Sequence, residues 1–307
     1  MLLSILGPLA GRFLNGTWLE NTAVRPNGNL LVADSTGATL WEIVPSTQST
    51  YIAPHLVHHF DGAEDVGGIA EFTPDTYAVI ASNSVWKVDL SGTDNVSKPV
   101  QIAKSPAGFL NRMAALDGGN VVAISDSQLG VVWYLNAQSG KYSVLHRHET
   151  MKAKFDLRIL IRTNGSRVLH NQMCYSNTPK QIFCRVQIDT RTGQAMGPYE
   201  IISRNTLADD FAVDPPGIGY LTSTISNEII RVPPGGSHEV VAGLKDSRIW
   251  MTPTSAAFGR TKNDRNVLYV TTGGETDLPV NNTASLGGKI MAVPIERQVS
   301  ILNCCTT

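Results

Sequence analysis

The chain predicts an all-β fold, a six-bladed β-propeller, on two observations. A short segment of one form recurs six times: Glu20-Asn-Thr-Ala-Val, Gly67-Gly-Ile-Ala-Glu, Asn111-Arg-Met-Ala-Ala, Asn164-Gly-Ser-Arg-Val, Asp209-Asp-Phe-Ala-Val and Pro253-Thr-Ser-Ala-Ala. Their first residues stand 47, 44, 53, 45 and 44 positions apart. A period in the forties, filled with strands, is that of propeller blades. The second observation is the content of each period: short apolar runs separated by turn signals, with no convincing amphipathic helix.

Taken in order, the recurring segment is read as the innermost strand of each blade, its first residue ringing one mouth of the central channel. A hairpin signal and a second apolar run follow, as in Pro26-Asn-Gly-Asn before Leu30-Leu-Val-Ala-Asp34, or Asp117-Gly-Gly-Asn before Val121-Val-Ala-Ile-Ser. Third runs alternate with period two (Leu40-Trp-Glu-Ile-Val, Val85-Trp-Lys-Val-Asp, Val131-Val-Trp-Tyr-Leu). Fourth runs such as Val100-Gln-Ile-Ala close most blades. Blade six lacks a fourth run after Ile295, and an apolar stretch precedes blade one. An N-terminal strand over about 4–13 is therefore expected to complete blade six and remove its open edge, leaving a polar tail over about 296–307. One domain, 1–307, is expected, since a propeller is one architectural unit.

Composition bounds the partners. Of 307 residues, 42% are hydrophobic, and the net charge of −1 with a pI near 6.7 gives no electrostatic reason to expect nucleic acid or an anionic membrane. No apolar run reaches the roughly 18 residues of a membrane span. Four sequons, at Asn15, Asn95, Asn164 and Asn281, point towards the secretory pathway and a glycoprotein. Cys174 and Cys184 flank the turn Asn177-Thr-Pro-Lys180, so a cross-strand disulfide and two free thiols are both open; Cys304 and Cys305 lie on the tail. His55, His58 and His59 fall in an outer strand, remote from the ring. No Gly-x-Ser-x-Gly elbow, phosphate loop, His-Glu-x-x-His or dinucleotide fingerprint occurs.

The polar members of the ring are Glu20, Asn111, Asn164 and Asp209. With the repeats, they make residues 12 to 295 resemble the senescence-marker-protein and gluconolactonase family of six-bladed propellers. That resemblance implies a divalent cation held by Glu20, Asn164 and Asp209, a substrate-contacting Asn111, and Asp209 as base. Oxygen donors of this kind suit calcium. The family's Glu-Gly-Pro and Asp-Gly segments are here Glu20-Asn-Thr and Asp209-Asp-Phe, which crowd the ring. The polar groups could instead satisfy one another without metal.

The phrases Trp18-Leu-Glu-Asn, Val24-Arg-Pro-Asn-Gly-Asn-Leu-Leu-Val, Asp209-Asp-Phe-Ala-Val-Asp, Pro253-Thr-Ser-Ala-Ala-Phe-Gly-Arg and Leu268-Tyr-Val-Thr-Thr-Gly-Gly are similar to a fungal branch of that family. The branch includes hetero-Diels–Alderases of tropolone sesquiterpenoid biosynthesis, which join a tropolone-derived o-quinone methide to a humulene-type terpene without cofactor. Such a reaction needs an apolar pocket that aligns two partners, with a few polar groups for dehydration.

Large apolar residues stand just ahead of three inner strands: Trp18, Phe109, and Trp250 with Met251. Phe211 alternates in register with Asp209, and Thr254 follows the last ring position. Arg112 and Arg162 flank ring positions and could pair with an acidic tropolone. Enlarged loops, His148 to Thr163 and Gly273 to Gly287, fall on the same face as potential lids. Glu20, Asp209, Asn111 and Asn164 are thus the candidate catalytic residues. Trp18, Phe109, Arg112, Phe211, Trp250, Met251 and Thr254 are the candidate substrate-binding ones. Three readings compete: a cofactor-free pericyclase, which the fungal wording favours; a metal-dependent lactone hydrolase, which the polar ring favours; and a non-catalytic binding propeller.

Overall fold

The computed structural model describes residues 9–45, 53–92, 98–105, 108–153, 162–245, 247–275 and 286–296. These form six four-stranded antiparallel sheets around a central channel, a β-propeller, with one short 3-10 turn, Glu149–Met151, as the only helical element among them. The inner strands are Leu19–Val24, Val66–Thr73, Leu110–Ala115, Thr163–Leu169, Phe211–Val213 and Pro253–Phe258, in blades one to six. In blade six the order runs outward from Pro253–Phe258 through Val267–Thr272 and Lys289–Pro294 to Leu9–Arg12. That N-terminal strand pairs with the third one, Arg12 opposite Lys289.

Each sheet is buried on both faces, so the second strands carry no polar alternation. Leu30–Asp34, Thr76–Ala81, Val121–Asp126 and Gly219–Ser223 are buried at every position. Six apolar clusters fill the six blade interfaces. Leu31, Leu40 and Tyr77 lie between blades one and two, and Ile80, Met113 and Leu135 between two and three. Val132 and Tyr175 lie between three and four, and Phe183 and Phe211 between four and five. Tyr220 and Leu268 lie between five and six, and Leu19 and Tyr269 close the ring between six and one. Burial of such side chains, each worth about 1.5–3 kcal/mol, is the main force holding neighbouring blades together.

The disulfide is not formed. In blade four, Cys174 pairs with Arg185 and Cys184 with Tyr175, a one-residue offset across the ladder. Side chains one register apart point to opposite faces of a sheet. Cys174 therefore enters the interface with blade five and Cys184 the interface with blade three, both as free thiols. Burial pushes both thiols up to about 12, which makes them inert packing groups.

One local irregularity repeats and matters for the site. The ladder between first and second strands slips at the mouth end in five blades: Leu19/Asn21, Val66/Ile69, Leu110/Met113, Thr163/Ser166 and Pro253/Ser255. In blade five the paired strand starts only at Phe211, after Asp209 and Asp210. A slip of this kind breaks strict alternation and re-aims consecutive side chains. Both Asn111 and Arg112, and both Asp209 and Asp210, reach the channel as a result.

Candidate active site

The mouth formed by the starts of the inner strands holds a cavity of about 560 Å³. Its walls are mainly apolar: Trp18, Val66, Phe109, Leu110, Ile225 and Met251. Glu20, Asp65, Asn111 and Asp209 supply carboxyl and amide groups to the same cavity. Gly67 represents blade two in the ring, so the ring position itself offers backbone, and its neighbours Asp65 and Val66 supply the side chains on that side of the cavity. Trp18 leans on Gly273, where an added Cβ would stand 2.5 Å from the indole. The indole N–H donates to Oε2 of Glu20 at 2.5 Å.

Beneath the cavity lies a fully buried arginine. Nη1 of Arg112 donates to Oε1 of Glu20 at 2.8 Å and to Oδ1 of Asn111 at 2.6 Å. Nη2 donates to the carbonyls of Glu20 and Thr254 at 3.2 and 3.4 Å, and lies 3.8 Å from Oδ2 of Asp209. Nε is 3.1 Å from Oδ2 of Asp210, though poorly aligned for a hydrogen bond. Asp210 in turn accepts from Nη2 of Arg167 and Oγ of Ser255, each at 2.6 Å. Beyond this plug the opposite end of the channel opens into a second cavity of about 700 Å³, lined by Thr22, Met113, Arg167 and Arg260 among others.

The two ring amides are oriented by their neighbours. Arg112 can only donate, so Asn111 presents its oxygen to Arg112 and its Nδ2 to Oδ1 of Asn164, at 2.6 Å. Asn164 then presents Nδ2 to Oδ1 of Asp209. A directed chain thus runs Arg112, Asn111, Asn164, Asp209. Burial pushes the Asp209 carboxyl up, to about 7; the nearby Arg112 pulls it down, while Glu20 and Asp210 push it further up. Asp65, which accepts the Ser82 N–H at 3.0 Å, is also raised, again chiefly by burial and secondarily by Glu20. For Arg112 burial disfavours the charge, but Glu20, Asp210 and Asp209 outweigh it and keep the guanidinium protonated.

The sequence candidates separate accordingly. Glu20, Asn111, Asp209, Trp18, Phe109 and Met251 meet in the cavity. Asn164 sits behind it, 1% exposed and bonded to Asn111, Asp209 and Thr178, which leaves its sequon no room for a glycan. Five other candidates do not line the cavity. Trp250 packs into the interface of blades five and six with Tyr220 and Leu268. Phe211 packs against Phe183, edge to face at 4.8 Å, because Asp210 rather than Phe211 turns inward. Thr254 spends its hydroxyl on the Leu19 carbonyl and on Thr271. Arg112 is the internal plug, with no surface left for a substrate anion. Arg162 lies beside Gly130 on the blade-three side. Of the enlarged loops, residues 154–161 and 276–285 fall outside the described residues, as do Asn95 and Asn281.

Asp65 escaped the sequence reading although the repeat carried the signal. Trp18, Phe109 and Met251 each stand two residues before a ring position; Asp65 stands two before Gly67. All four line the cavity.

The divalent cation implied by the resemblance requires converging free oxygens. Here both Glu20 oxygens are engaged by Trp18 and Arg112, Asn164 turns its nitrogen towards Asp209, and a guanidinium stands among the carboxylates. This arrangement does not fit a divalent cation.

No family model matches the chain. A protein from Phoma sp. named as a candidate hetero-Diels–Alderase is 27% identical over 306 residues, covering 86% of this chain and 87% of that one. A second candidate hetero-Diels–Alderase, from Sarocladium schorii, is 28% identical, covering 84% of this chain and 75% of its own. Among solved structures, the calcium-binding protein regucalcin from Agrobacterium tumefaciens superposes with a TM-score of 0.65 at 16% identity, covering 95% of this chain and 98% of that one. A luciferin-regenerating enzyme gives the same score and identity over 94% of this chain and 92% of its own. The chain thus resembles proteins bearing hetero-Diels–Alderase names. At these identities its likeness to regucalcin-type propellers carries the fold alone.

Proposed function

We propose that the protein is a cofactor-free pericyclase of fungal secondary metabolism, one that couples a tropolone-derived o-quinone methide to a humulene-type sesquiterpene by a hetero-Diels–Alder reaction. The observation that carries this reading is the cavity itself: apolar walls from Trp18, Val66, Phe109, Leu110, Ile225 and Met251, with a partly buried acid of raised affinity for protons, Asp209, beside an ion-paired one, Glu20. Two relatives with hetero-Diels–Alderase names, matched over most of the chain, support the same class. A volume of about 560 Å³ lies in the usual range of ligand pockets, about 300–1,000 Å³.

The residues divide the work. Protonated Asp209 gives its proton to the hydroxyl that leaves as water from the tropolone's hydroxyalkyl arm. Asp209 is reprotonated, directly or through Glu20, by the tropolone O–H, so that the net change is loss of one water. The quinone methide's oxygen and exocyclic carbon then add across one terpene double bond, forming one C–O and one C–C bond with no group transferred to the protein. The apolar walls hold the two partners in register and keep water from adding to the quinone methide.

The test is incubation of purified, chelator-treated protein with a hydroxyalkyl tropolone and a humulene-type triene. A single stereoisomer formed faster than in buffer is the expected result. A racemic product at the buffer rate, or hydrolysis of a sugar lactone restored only by calcium, would overturn the reading in favour of the lactone hydrolase.

A further inference from the structure

The oxygens that surround Arg112 have the composition of a cation site. Three carboxyl groups face its guanidinium: Glu20 at 2.8 Å, Asp210 at 3.1 Å and Asp209 at 3.8 Å. Two backbone carbonyls, of Glu20 and Thr254, and the amide oxygen of Asn111 complete the shell. The donors come from blades one, three, five and six, and the cation they enclose has no solvent exposure at all. Six oxygens, half of them carboxylates and the rest carbonyls, are what a hard divalent cation such as calcium selects. An arginine so placed cannot leave, and it carries one charge where a divalent ion carries two.

We infer that the Arg112 guanidinium is the channel's own cation, occupying a shell that would otherwise take a divalent metal ion, and that removing it converts Glu20, Asp209, Asp210 and Asn111 into such a site. The difference in charge has a consequence for the carboxylates. Two guanidinium charges, that of Arg112 and that of Arg167 on Asp210, face three acids and leave them in excess, so one proton is best kept on the group least strongly paired. Asp209, farthest from the guanidinium, is that group. A divalent ion in the same place would favour ionisation of all three. The arginine thus keeps a carboxylic acid in the cavity, where a metal would give a carboxylate.

Truncation of a buried ion-pair partner leaves uncompensated charge and is strongly destabilising, so a metal that re-enters the shell should recover stability. The experiment compares the melting temperature of wild type, R112A, R112M and R112K with and without about 10 mM calcium chloride, a concentration above the Kd of weak calcium sites. Terbium luminescence, sensitised by Trp18 through its contact with Glu20, reports binding directly and needs no substrate. Wild type and R112K should show no calcium-dependent shift. R112A or R112M should gain at least about 2 °C with calcium, the scale of roughly 1 kcal/mol in a large domain. That gain should vanish in R112A/E20Q.

Stoichiometric terbium or calcium binding by wild type that E20Q abolishes would overturn the inference. So would R112A and R112M that fold yet ignore calcium, or that fail to fold whether or not calcium is present. None of these readouts depends on the pericyclase reading, which stands or falls on product formation.

Discussion

Nη1 of Arg112 donates to Oε1 of Glu20 at 2.8 Å, joining the inner strand of blade three to that of blade one across the channel. The pair spans 92 residues of sequence and is nearly dry: Arg112 has no exposed side-chain surface and Glu20 only 17%. It sets the polarity of everything behind it. Because the guanidinium can only donate, Asn111, Asn164 and finally Asp209 are oriented in turn. The floor of the cavity is therefore a single preorganised array rather than four independent polar groups.

The raised affinity of Asp209 for its proton makes stability fall as pH rises. The folded protein holds this proton up to about 7, whereas an unfolded aspartate releases it near 3.8. Between those values the native state binds more protons than the unfolded one, so unfolding becomes easier with each step upward in pH, and the contribution is lost above about 7. Thermal melts from pH 4 to 8 should show this decline, and D209N should flatten it over that window. A D209N profile parallel to wild type would count against the shift.

Trp18 and Phe109 should control stereochemistry more than binding. Trp18 is braced by Gly273 and by Glu20, while Phe109 is 39% exposed at the rim. W18A should scramble the product's facial selectivity and slow turnover by up to about a hundredfold, the cost of a misplacement of about 1 Å. F109A should act more weakly. G273V leaves Trp18 intact but forces the indole away, and should reproduce the W18A product pattern on chiral chromatography. An unaltered pattern in both would remove Trp18 from the site.

How much was legible in the sequence depends on where alternation holds. The repeat period reaches the blade count, the inner strands and the polar ring, because strand spacing and turns are local properties. Asn111 and Asp209 were found this way. Their neighbours Arg112 and Asp210 carried no such signal, since strict period two sends adjacent side chains to opposite faces. Only the ladder slip between Leu110 and Met113, and in blade five the stretch ahead of the paired strand that starts at Phe211, turn both inward. The same effect misassigned Phe211. Trp250 illustrates a different limit: an apolar residue ahead of an inner strand serves a blade interface as readily as a cavity wall, and its neighbour Met251 took the wall. The offset between Cys174 and Cys184 likewise becomes visible only with the register of two strands.

Deleting residues 1–12 should destabilise the protein through blade six. Leu9–Arg12 covers the outer edge of Lys289–Pro294 with an antiparallel ladder that local sequence cannot replace. Without it the third strand presents unpaired N–H and C=O groups, a template for association. A fall in melting temperature of at least about 5 °C is expected, given roughly 2–4 °C per kcal/mol in domains of 150–250 residues. Light scattering should show aggregation before unfolding. A truncated protein with unchanged melting temperature would mean that the strand contributes nothing to closure.

In the proposed reaction, proton transfer and alignment are separable. Asp209 has the carboxylic acid needed to expel water, and Asn164 fixes its orientation by donating to Oδ1. D209N keeps the shape of the side chain but removes the transferable proton. It should slow formation of the quinone methide by about 10²–10⁴-fold, the usual contribution of a positioned general acid. Given a quinone methide generated chemically in the cuvette, the same variant should still direct cycloaddition to one stereoisomer, because the walls formed by Trp18, Phe109 and Met251 are unchanged. N164A should show a milder form of this split. Its Asp209 keeps the proton but loses its anchor, so the dehydration rate falls while the pH at which activity is lost moves upward, the amide having favoured the ionised form. Rapid-mixing absorbance of the quinone methide, followed separately from product, measures both steps. Equal loss of dehydration and selectivity in D209N would assign the residue to cavity shape instead of proton transfer.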